Sequence, residues 1–338
     1  MDLTQVKERI KNVGFLKKRR LQNKIPLRFP FLLNIEITNI CSEKCIYCPQ
    51  PELTRPSGFM DVALFKKIID ECTHMERLRR LYVHWMGEPL LHPKIIEILE
   101  YAKEKNIAEM IVIATNGTPL TEKIMAELIR LEIDEIYLSI DAVTGDTYKK
   151  LKGTNNFDKI ENNIVKAMEL KRKLHAKLPY LRLKFLDMDE NSHEIEQFKK
   201  KWEKIVDTIF FDDVYNIWDG SSDRVNKSVV NTEAYKRHYE DLDERYPCDR
   251  LWYGLAIHCD GKVSPCVCDW DGKTVVGDLA NTTLSEIWYS EKMREYRKNH
   301  LNNEFHRIEM CKDCTLWGTR NMGDWLLRHK NKALSISK

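Results

Sequence analysis

Short apolar runs alternate with amphipathic segments through residues 27–220, and this alternation constrains the fold more than any other feature. Strands are predicted at 31–37, 81–86, 110–115, 135–140, 181–187 and 208–214. Their apolar, β-branched composition is typical of strands buried on both faces. After the first strand, Phe65, Ile68, Ile69 and Cys72 recur at helical spacing and predict one buried helix face. We therefore expect Cys72 to belong to the core and not to a metal site.

Six strand–helix units of this kind predict a parallel sheet with right-handed crossovers. Because a complete barrel of this type needs eight units, we expect an α/β fold with an open, partial (βα)6 barrel. In such folds the functional groups lie at the C-terminal ends of the strands.

The segments that flank this pattern are polar. Residues 1–26 carry Ile10, Val13 and Leu16 at helical spacing, which predicts a leading helix. Residues 219–232 have no strong period, so we place a domain boundary there. The expected organisation is a helical extension at 1–26, the partial barrel at 27–220, and a smaller domain with a tail at 221–338.

Composition excludes several classes of protein. The net charge is only +3 although 32% of residues are charged, so no global basic field predicts a nucleic-acid partner. No apolar run approaches the ~18 residues of a membrane span, and the first residues lack the apolar core of a signal peptide. The ten cysteines are then expected to bind metal and not to form disulfides, which fits a reducing cytoplasm.

Three cysteines follow the first predicted strand at the spacing CxxxCxxC: Cys41, Cys45 and Cys48. A cubane iron–sulfur cluster takes four thiolates, so three leave one iron without a protein ligand. An open metal position is typical of catalysis, because it can bind a small molecule. The spacing alone would also permit a zinc loop or a chance grouping.

Polar motifs occur just past the next three strands. Gly87-Glu88-Pro89 follows the second strand and Asn116 lies in a turn after the third. Ser139 and Asp141 alternate with Ile140 on the fourth, so both are expected to point the same way. Each motif alone is weak evidence, but their joint order at successive strand ends predicts one site.

The cysteine spacing and the order of these motifs resemble those of the radical S-adenosylmethionine (radical SAM) superfamily. The resemblance implies that the open iron of a [4Fe–4S] cluster binds the amino and carboxylate groups of SAM. It also implies that Gly87-Glu88-Pro89, with Met86 in place of a first glycine, corresponds to the family's GGE element. Lys152 stands where many relatives carry an arginine for the SAM carboxylate. The implied cofactor-binding set is Tyr47 beside the adenine, Gly87, Glu88, Pro89, Asn116, Ser139, Asp141 and Lys152.

A second group of cysteines lies after the predicted boundary: Cys248, Cys259, Cys266, Cys268, Cys311 and Cys314. Residues 260–266 predict a hairpin with an Asp-Gly turn, and an amphipathic helix is predicted from residue 284 to about 296. The region resembles the shortened SPASM, or twitch, extension of radical SAM enzymes.

That resemblance implies one auxiliary [4Fe–4S] cluster, because no cysteine follows Cys314. The expected ligands are Cys248, Cys266, Cys311 and Cys314. Cys259 and Cys268 are then spare, although Cys268 could replace Cys266. A zinc site with the same four thiolates is the alternative.

The family resemblance also implies the chemistry. Reduction of SAM by one electron yields a 5′-deoxyadenosyl radical, which takes a hydrogen atom from the substrate. The auxiliary cluster would accept an electron, and a low-potential flavodoxin or ferredoxin would supply the first one. Such a reaction needs a base, for which Asp269 is the first candidate, followed by Asp260, Glu88 and His84. Asp269 could equally be a turn residue.

The sequence gives less information about the substrate than about the reaction. With a single auxiliary cluster, the chain resembles the twitch dehydrogenase that acts on 2-deoxy-scyllo-inosamine. We therefore expect a small polyol (a sugar, nucleotide sugar or aminocyclitol) that is oxidised or epimerised at a carbinol carbon. The first alternative is a peptide or protein maturase. The second is a nonredox zinc protein that binds RNA through its basic ends.

Overall fold

A computed structural model describes residues 27–213, 245–314, 316–319, 326 and 328–334. The helix predicted at 1–26 and the boundary predicted at 219–232 lie outside the described residues. In the described part, no helix has the length and apolar character needed to cross a membrane.

The fold is built on one nine-stranded sheet with the order β6-β5-β4-β3-β2-β1-β7-β8-β9. The first six strands pair in parallel and in sequence order, as the alternating pattern predicts, and the barrel they begin is not closed. The strands are β1 Leu32–Ile35, β2 Leu78–Tyr82, β3 Ala108–Thr115, β4 Glu135–Ser139, β5 Tyr180–Asp187, β6 Thr208–Asp213, β7 Gly254–Ile257, β8 Lys262–Ser264 and β9 Gly277–Asp278.

Helices connect the parallel strands and complete the C-terminal region. In chain order they are α1 Val62–Thr73, α2 Ile95–Glu104, α3 Glu122–Arg130, α4 Gly145–Lys152, α5 Phe157–Lys173, α6 Ile195–Trp202, α7 Leu284–Trp288, α8 Glu291–Leu301, α9 Glu309–Lys312 and α10 Lys330–Leu334. The buried face predicted for α1 is confirmed, because Phe65, Ile68, Ile69 and Cys72 are all buried in the core.

The C-terminal region joins the same sheet as the partial barrel. Strand β7 pairs in parallel with β1 over its whole length, and β8 turns back antiparallel to β7. The predicted hairpin is therefore confirmed. Its first strand also extends the barrel sheet, which the sequence did not predict.

The two faces of the parallel sheet differ in chemistry. Residues such as Leu33, Leu81, Ile113 and Leu183 are fully buried with the helices in the main core. Side chains alternate between the faces of a strand, so their neighbours share the other face. We call these neighbours the polar sheet face, defined by Tyr82, His84, Tyr137, Arg182 and Lys184, each of which is partly exposed.

Three local predictions were wrong. Strand β2 begins at Leu78, not at 81, because Arg80 is buried and its guanidinium donates to the Tyr82 hydroxyl at 2.8 Å. The helix predicted at 284–296 is two helices, since the Ser290 side chain caps a new helix by accepting from the Met293 N–H. Asn191 and Glu194, three positions apart before the apolar residues of α6, also predict a capping box. It does not form, because the Glu194 carboxylate accepts from the Val143 N–H at 2.6 Å.

Candidate active site

The loop that carries Cys41, Cys45 and Cys48 lies at the C-terminal end of β1 and is fixed on α4. The Lys44 N–H donates to the Lys152 carbonyl and the Ile46 N–H to the Leu151 carbonyl, both at 2.9 Å. The cysteine loop is thus hydrogen-bonded to the same helix end that supplies Lys152.

The three thiols of this loop share a desolvated environment. Burial raises the pKa of Cys41 to about 12 and raises the pKa of Cys45 and of Cys48 as well. A charge on the Cys45 thiolate raises the pKa of Cys41 and of Cys48 further. Three thiolates at such a site require positive charge to stabilise them, as an iron–sulfur cluster provides.

Gly87 packs directly against the backbone that leads into the cysteine loop. A Cβ at this position would lie 2.3 Å from the Thr38 carbonyl oxygen and 2.8 Å from that of Ile40. The next residue, Glu88, donates its backbone N–H to the Ile40 carbonyl at 2.8 Å. The loop after β2 therefore holds the loop after β1 by close approach of the two backbones.

The Glu88 carboxylate joins β2 to β3. It accepts from the Thr115 hydroxyl at 2.8 Å, the Asn116 N–H at 2.7 Å and the Leu90 N–H at 3.0 Å. Burial raises the pKa of Glu88 to about 7 although these hydrogen bonds act to lower it. Pro89 begins the single turn of 3₁₀-helix, Pro89–Leu91, that supplies the Leu90 N–H.

Asn116 connects this arrangement with the cysteines. Its amide nitrogen lies 3.1 Å from the Ser42 hydroxyl and 3.8 Å from the Cys41 sulfur. The structure therefore brings Gly87, Glu88 and Asn116 together against the cysteine loop.

A buried polar cluster lies on the other side of the cysteine loop. The Lys152 ammonium pairs with the Asp141 carboxylate, and it also donates to the Tyr47 and Ser139 hydroxyls. The same Asp141 oxygen accepts from Tyr47 at 2.6 Å and from Ser139 at 2.8 Å. Burial alone would raise the pKa of Asp141, but Lys152 and these hydrogen bonds lower it. Four predicted SAM contacts thus converge on one ion pair.

Asp141 adopts a backbone conformation that few residues tolerate. Its φ is +60°, and Asn191 holds it there by donating to the Asp141 carbonyl at 2.8 Å. Asn191 also donates to the Leu186 carbonyl at 2.8 Å. Its role in the site was missed because its polar neighbours favoured a helix cap.

Five of the six C-terminal cysteines line a single cavity. Cys248, Cys266, Cys311 and Cys314, the four expected ligands, are joined there by Cys268. The Cys268 and Cys314 sulfurs are 3.7 Å apart.

Cys259 lies elsewhere, where its backbone N–H donates to the buried Glu36 carboxylate at 3.2 Å. Of the two spare cysteines, Cys268 alone lines this cavity.

His300 is a feature of this cavity that the sequence analysis missed. Its Nδ1 lies 3.1 Å from the Cys248 N–H and its Nε2 lies 3.3 Å from the Cys311 sulfur. Burial lowers the pKa of His300 to about 3. In the sequence, the only signal for such a role was that His300 lies 11 residues before Cys311, near the end of α8.

Both cysteine groups suit a cluster. A cubane offers a separate iron to each thiol, so its ligands can be spread around a cavity such as the one that the C-terminal cysteines line.

The two cysteine groups are linked through the loops between them. Arg55 donates two hydrogen bonds of 2.6 Å to the buried Glu36 carboxylate and a third, of 2.9 Å, to the Trp270 carbonyl. The Trp85 indole N–H donates to the Val267 carbonyl, between Cys266 and Cys268, at 3.0 Å. These contacts fix the auxiliary cavity relative to the barrel.

The candidate bases Asp269 and Asp260 both have partners in the structure. Asp269 accepts from the Ser264 hydroxyl and from the Thr274 N–H at both carboxylate oxygens, and burial raises its pKa. The carboxylate therefore stabilises its own turn. Asp260 lies at the hairpin tip, 3.1 Å from the Lys262 ammonium.

His84 belongs to the polar sheet face. Its Nδ1 accepts from the Ala114 N–H at 2.9 Å, which places the ring proton on Nε2. Burial lowers the pKa of His84 to about 4. The neutral ring therefore offers a hydrogen-bond donor and has no basic nitrogen left.

Comparison with protein families identifies the class to which this arrangement belongs. The Radical SAM superfamily model matches residues 35–184, and the SPASM iron–sulfur cluster-binding domain model matches residues 248–315. The protein is a radical SAM enzyme with a C-terminal SPASM domain, as its motifs predicted. These domains imply a SAM-binding [4Fe–4S] cluster and an auxiliary cluster.

Similar curated proteins cover most of the chain. A "tungsten-containing aldehyde ferredoxin oxidoreductase cofactor-modifying protein" of Pyrococcus furiosus is 26% identical, over 84% of this chain and 87% of its own. The "S-adenosyl-L-methionine-dependent 2-deoxy-scyllo-inosamine dehydrogenase" of Niallia circulans is 22% identical, over 84% of this chain and 92% of its own.

Solved structures share the fold. BtrN in complex with AdoMet and 2-DOIA has a TM-score of 0.56 and 20% identity, over 85% of this chain and 93% of that one. SuiB of Streptococcus suis, bound to its precursor peptide SuiA, has a TM-score of 0.61 and 16% identity, over 81% of this chain and 68% of that one.

Proposed function

We propose that this protein is a radical SAM oxidoreductase that takes hydrogen from a carbinol carbon of a small polyol. The substrate class comprises sugars, nucleotide sugars and aminocyclitols. The observation that carries the proposal is the polar sheet face, which lies along the strands that end at the SAM-site residues.

This face offers hydrogen-bonding groups of several kinds. Lys184 is the register neighbour of Ser139 and pairs with Asp212 at 2.8 Å. Arg182 pairs with the buried Glu135 at 2.7 Å and lies over the Tyr137 ring. Charged and hydroxyl-bearing side chains of this kind suit a substrate with many hydroxyls, because each hydroxyl can both donate and accept a hydrogen bond.

His84 adds a donor to this face. Because its proton is held on Nε2, it can donate to a substrate hydroxyl or carbonyl oxygen. The name of the Niallia circulans relative, a dehydrogenase acting on an aminocyclitol, supports the same substrate class.

We assign the remaining residues by position. Cys41, Cys45 and Cys48 would hold the first cluster. Gly87, Glu88, Pro89, Asn116, Tyr47, Ser139, Asp141 and Lys152 would bind or support SAM. Cys248, Cys266, Cys311 and Cys314 would hold the auxiliary cluster.

When bound and reduced, the first cluster and SAM supply a 5′-deoxyadenosyl radical. Oxidation of H–C–OH to C=O then passes a hydrogen atom to that radical, a proton to a base, for which Asp269 is the proposed residue, and an electron to an acceptor. We propose the auxiliary cluster as the acceptor of that electron. A low-potential flavodoxin or ferredoxin is the proposed donor of the electron that cleaves SAM.

Deuterium transfer tests this proposal. Reconstituted enzyme is incubated with SAM, dithionite and 2-deoxy-scyllo-inosamine, myo-inositol or UDP-glucose, each deuterated at its carbinol carbons. We expect 5′-deoxyadenosine to carry deuterium from at least one of them, with a carbonyl product. His84→Phe should weaken this transfer, whereas replacement of the exposed His74 by Phe should not.

Unlabelled 5′-deoxyadenosine with all three probes would contradict the proposal while leaving SAM cleavage intact. Peptide or protein maturation is the second candidate. The name of the Pyrococcus furiosus relative, which modifies the cofactor of another enzyme, supports action on a component of a partner enzyme. Deuterium transfer from a globally deuterated protein or peptide fraction, and from no polyol, would support that candidate.

A further inference from the structure

The buried His300 side chain joins two of the cysteines that line the auxiliary cavity. Its Nδ1 lies 3.1 Å from the backbone nitrogen of Cys248, and this N–H must donate because Nδ1 is the only acceptor of the pair. A neutral imidazole has one protonated nitrogen, so the proton lies on Nε2.

Nε2 is 3.3 Å from the Cys311 sulfur, and His300 is fully buried. The backbone of Cys248 therefore fixes a histidine N–H that points at the Cys311 sulfur. Arg245 fixes the other partner, because its guanidinium donates to the Cys311 carbonyl and, at 3.0 Å, to the Lys312 carbonyl.

We propose that His300 is a positioning residue that donates a hydrogen bond from Nε2 to the Cys311 thiolate and thereby raises the reduction potential of the auxiliary cluster. The inference rests on the proposed ligand role of Cys311 and is independent of the substrate. Hydrogen bonds to cluster sulfurs stabilise the reduced, more negative state. A more easily reduced cluster is the better acceptor for an electron from substrate.

The test follows the auxiliary cluster alone, in full-length protein carrying Cys41→Ala, Cys45→Ala and Cys48→Ala. Reduction is monitored by EPR as the applied potential is varied. The hydrogen bond is stronger to the more negative reduced cluster, so its loss in His300→Phe should lower the reduced-to-oxidised ratio about tenfold at fixed potential. That change corresponds to about 59 mV for a one-electron couple.

Matched variants separate this role from packing. His300→Gln can still donate and should recover part of the change, whereas His306→Gln, at an exposed histidine of the same region, should cause none. A ratio in His300→Phe that stays within about twofold of the parent would overturn the proposal.

A second measurement needs no substitution at His300, so it applies even where His300→Phe fails to hold a cluster. Pulsed EPR of ¹⁵N-histidine-labelled protein should show a weak nitrogen coupling, typical of a hydrogen-bonded histidine. No coupling, or the strong coupling of a directly bound nitrogen, would overturn the proposal.

Discussion

The ion pair between Lys152 and Asp141 is the feature on which the candidate SAM site depends at the scale of single residues. Both side chains are almost fully buried, and Asp141 also accepts from Tyr47, Ser139 and the Leu186 N–H. Buried charges of this kind are stable only when each has its partner. The side chains around the Lys152–Asp141 pair therefore hold this arrangement without SAM.

Lys152→Met should lower the free energy of unfolding by about 3–5 kcal/mol, because it leaves the Asp141 carboxylate buried without its counter-charge. Urea unfolding of metal-free protein measures this change. Lys150→Met, at an exposed position of the same helix, is the control and should stay within about 0.5 kcal/mol of wild type. A loss below about 1 kcal/mol in Lys152→Met would mean that the pair is dispensable.

Glu88 should make the stability of the folded protein fall as pH rises, whereas a carboxylate paired with a cation makes it rise. Its pKa in the folded protein is about 7, above the ordinary value of 4.5. Between these values the unfolded chain has lost the proton while the native Glu88 keeps it, so stability falls as pH rises from about 4.5 to 7.

Glu88→Gln removes this dependence. The difference in unfolding free energy between wild type and Glu88→Gln is measured by urea unfolding at intervals from pH 4.5 to 7.5. Relative to the variant, wild type should lose up to about 1.4 kcal/mol for each pKa unit of the shift. A difference that is constant with pH, or that favours wild type as pH rises, would contradict the assignment.

At the scale of elements, the close approach of the loops after β1 and β2 positions the cysteines. Gly87→Ala should lower stability by about 1–3 kcal/mol and reduce iron incorporation, because the added Cβ displaces the backbone before Cys41. Thermal unfolding and iron content measure both effects.

Gly58→Ala is the matched control, since a Cβ there meets no atom within 4 Å. The account of this loop fails if the Gly87 and Gly58 variants behave alike.

Local patterns predicted the elements and motifs well where the signal lies within one segment. The apolar runs predicted β1 and β3–β6, and the CxxxCxxC spacing identified the cysteine loop. Strand β2 was misplaced because Arg79 and Arg80 hide its start, and burial of Arg80 depends on Tyr82 and on Glu135 of another strand.

Contacts between distant segments could not be predicted in this way. The pairing of β7 with β1 joins residues more than 200 positions apart, and neither strand carries a local signal for it. The contacts of Asn191 with Asp141 and of His300 with Cys311 could not be predicted either. Asparagine and histidine are common near helix ends, and these two acquire their roles only when the fold brings them to their partners. For Asp269, the sequence left a base and a turn residue as alternatives, and the structure adds the hydrogen bonds that it accepts from the Thr274 N–H.

At the scale of the whole molecule, the SPASM domain extends the barrel sheet through β7. It is also fixed to the barrel through the buried Glu36–Arg55 pair, because Arg55 donates to the Trp270 carbonyl and Glu36 accepts from the Cys259 N–H. The two cysteine groups are thus parts of one continuous structure. The proposed electron transfer between the barrel and the auxiliary cavity requires a cluster at each, so the presence of two clusters is the central claim.

Iron content combined with SAM cleavage tests that claim most directly. Anaerobically reconstituted protein should contain about eight irons per chain and form 5′-deoxyadenosine with SAM and dithionite. The Cys248→Ala, Cys311→Ala variant should keep about four irons and still cleave SAM. The Cys41→Ala, Cys45→Ala, Cys48→Ala variant should keep about four and cleave none. About four irons in wild type would contradict the two-cluster account, and an absence of iron and of SAM cleavage would contradict the radical mechanism itself.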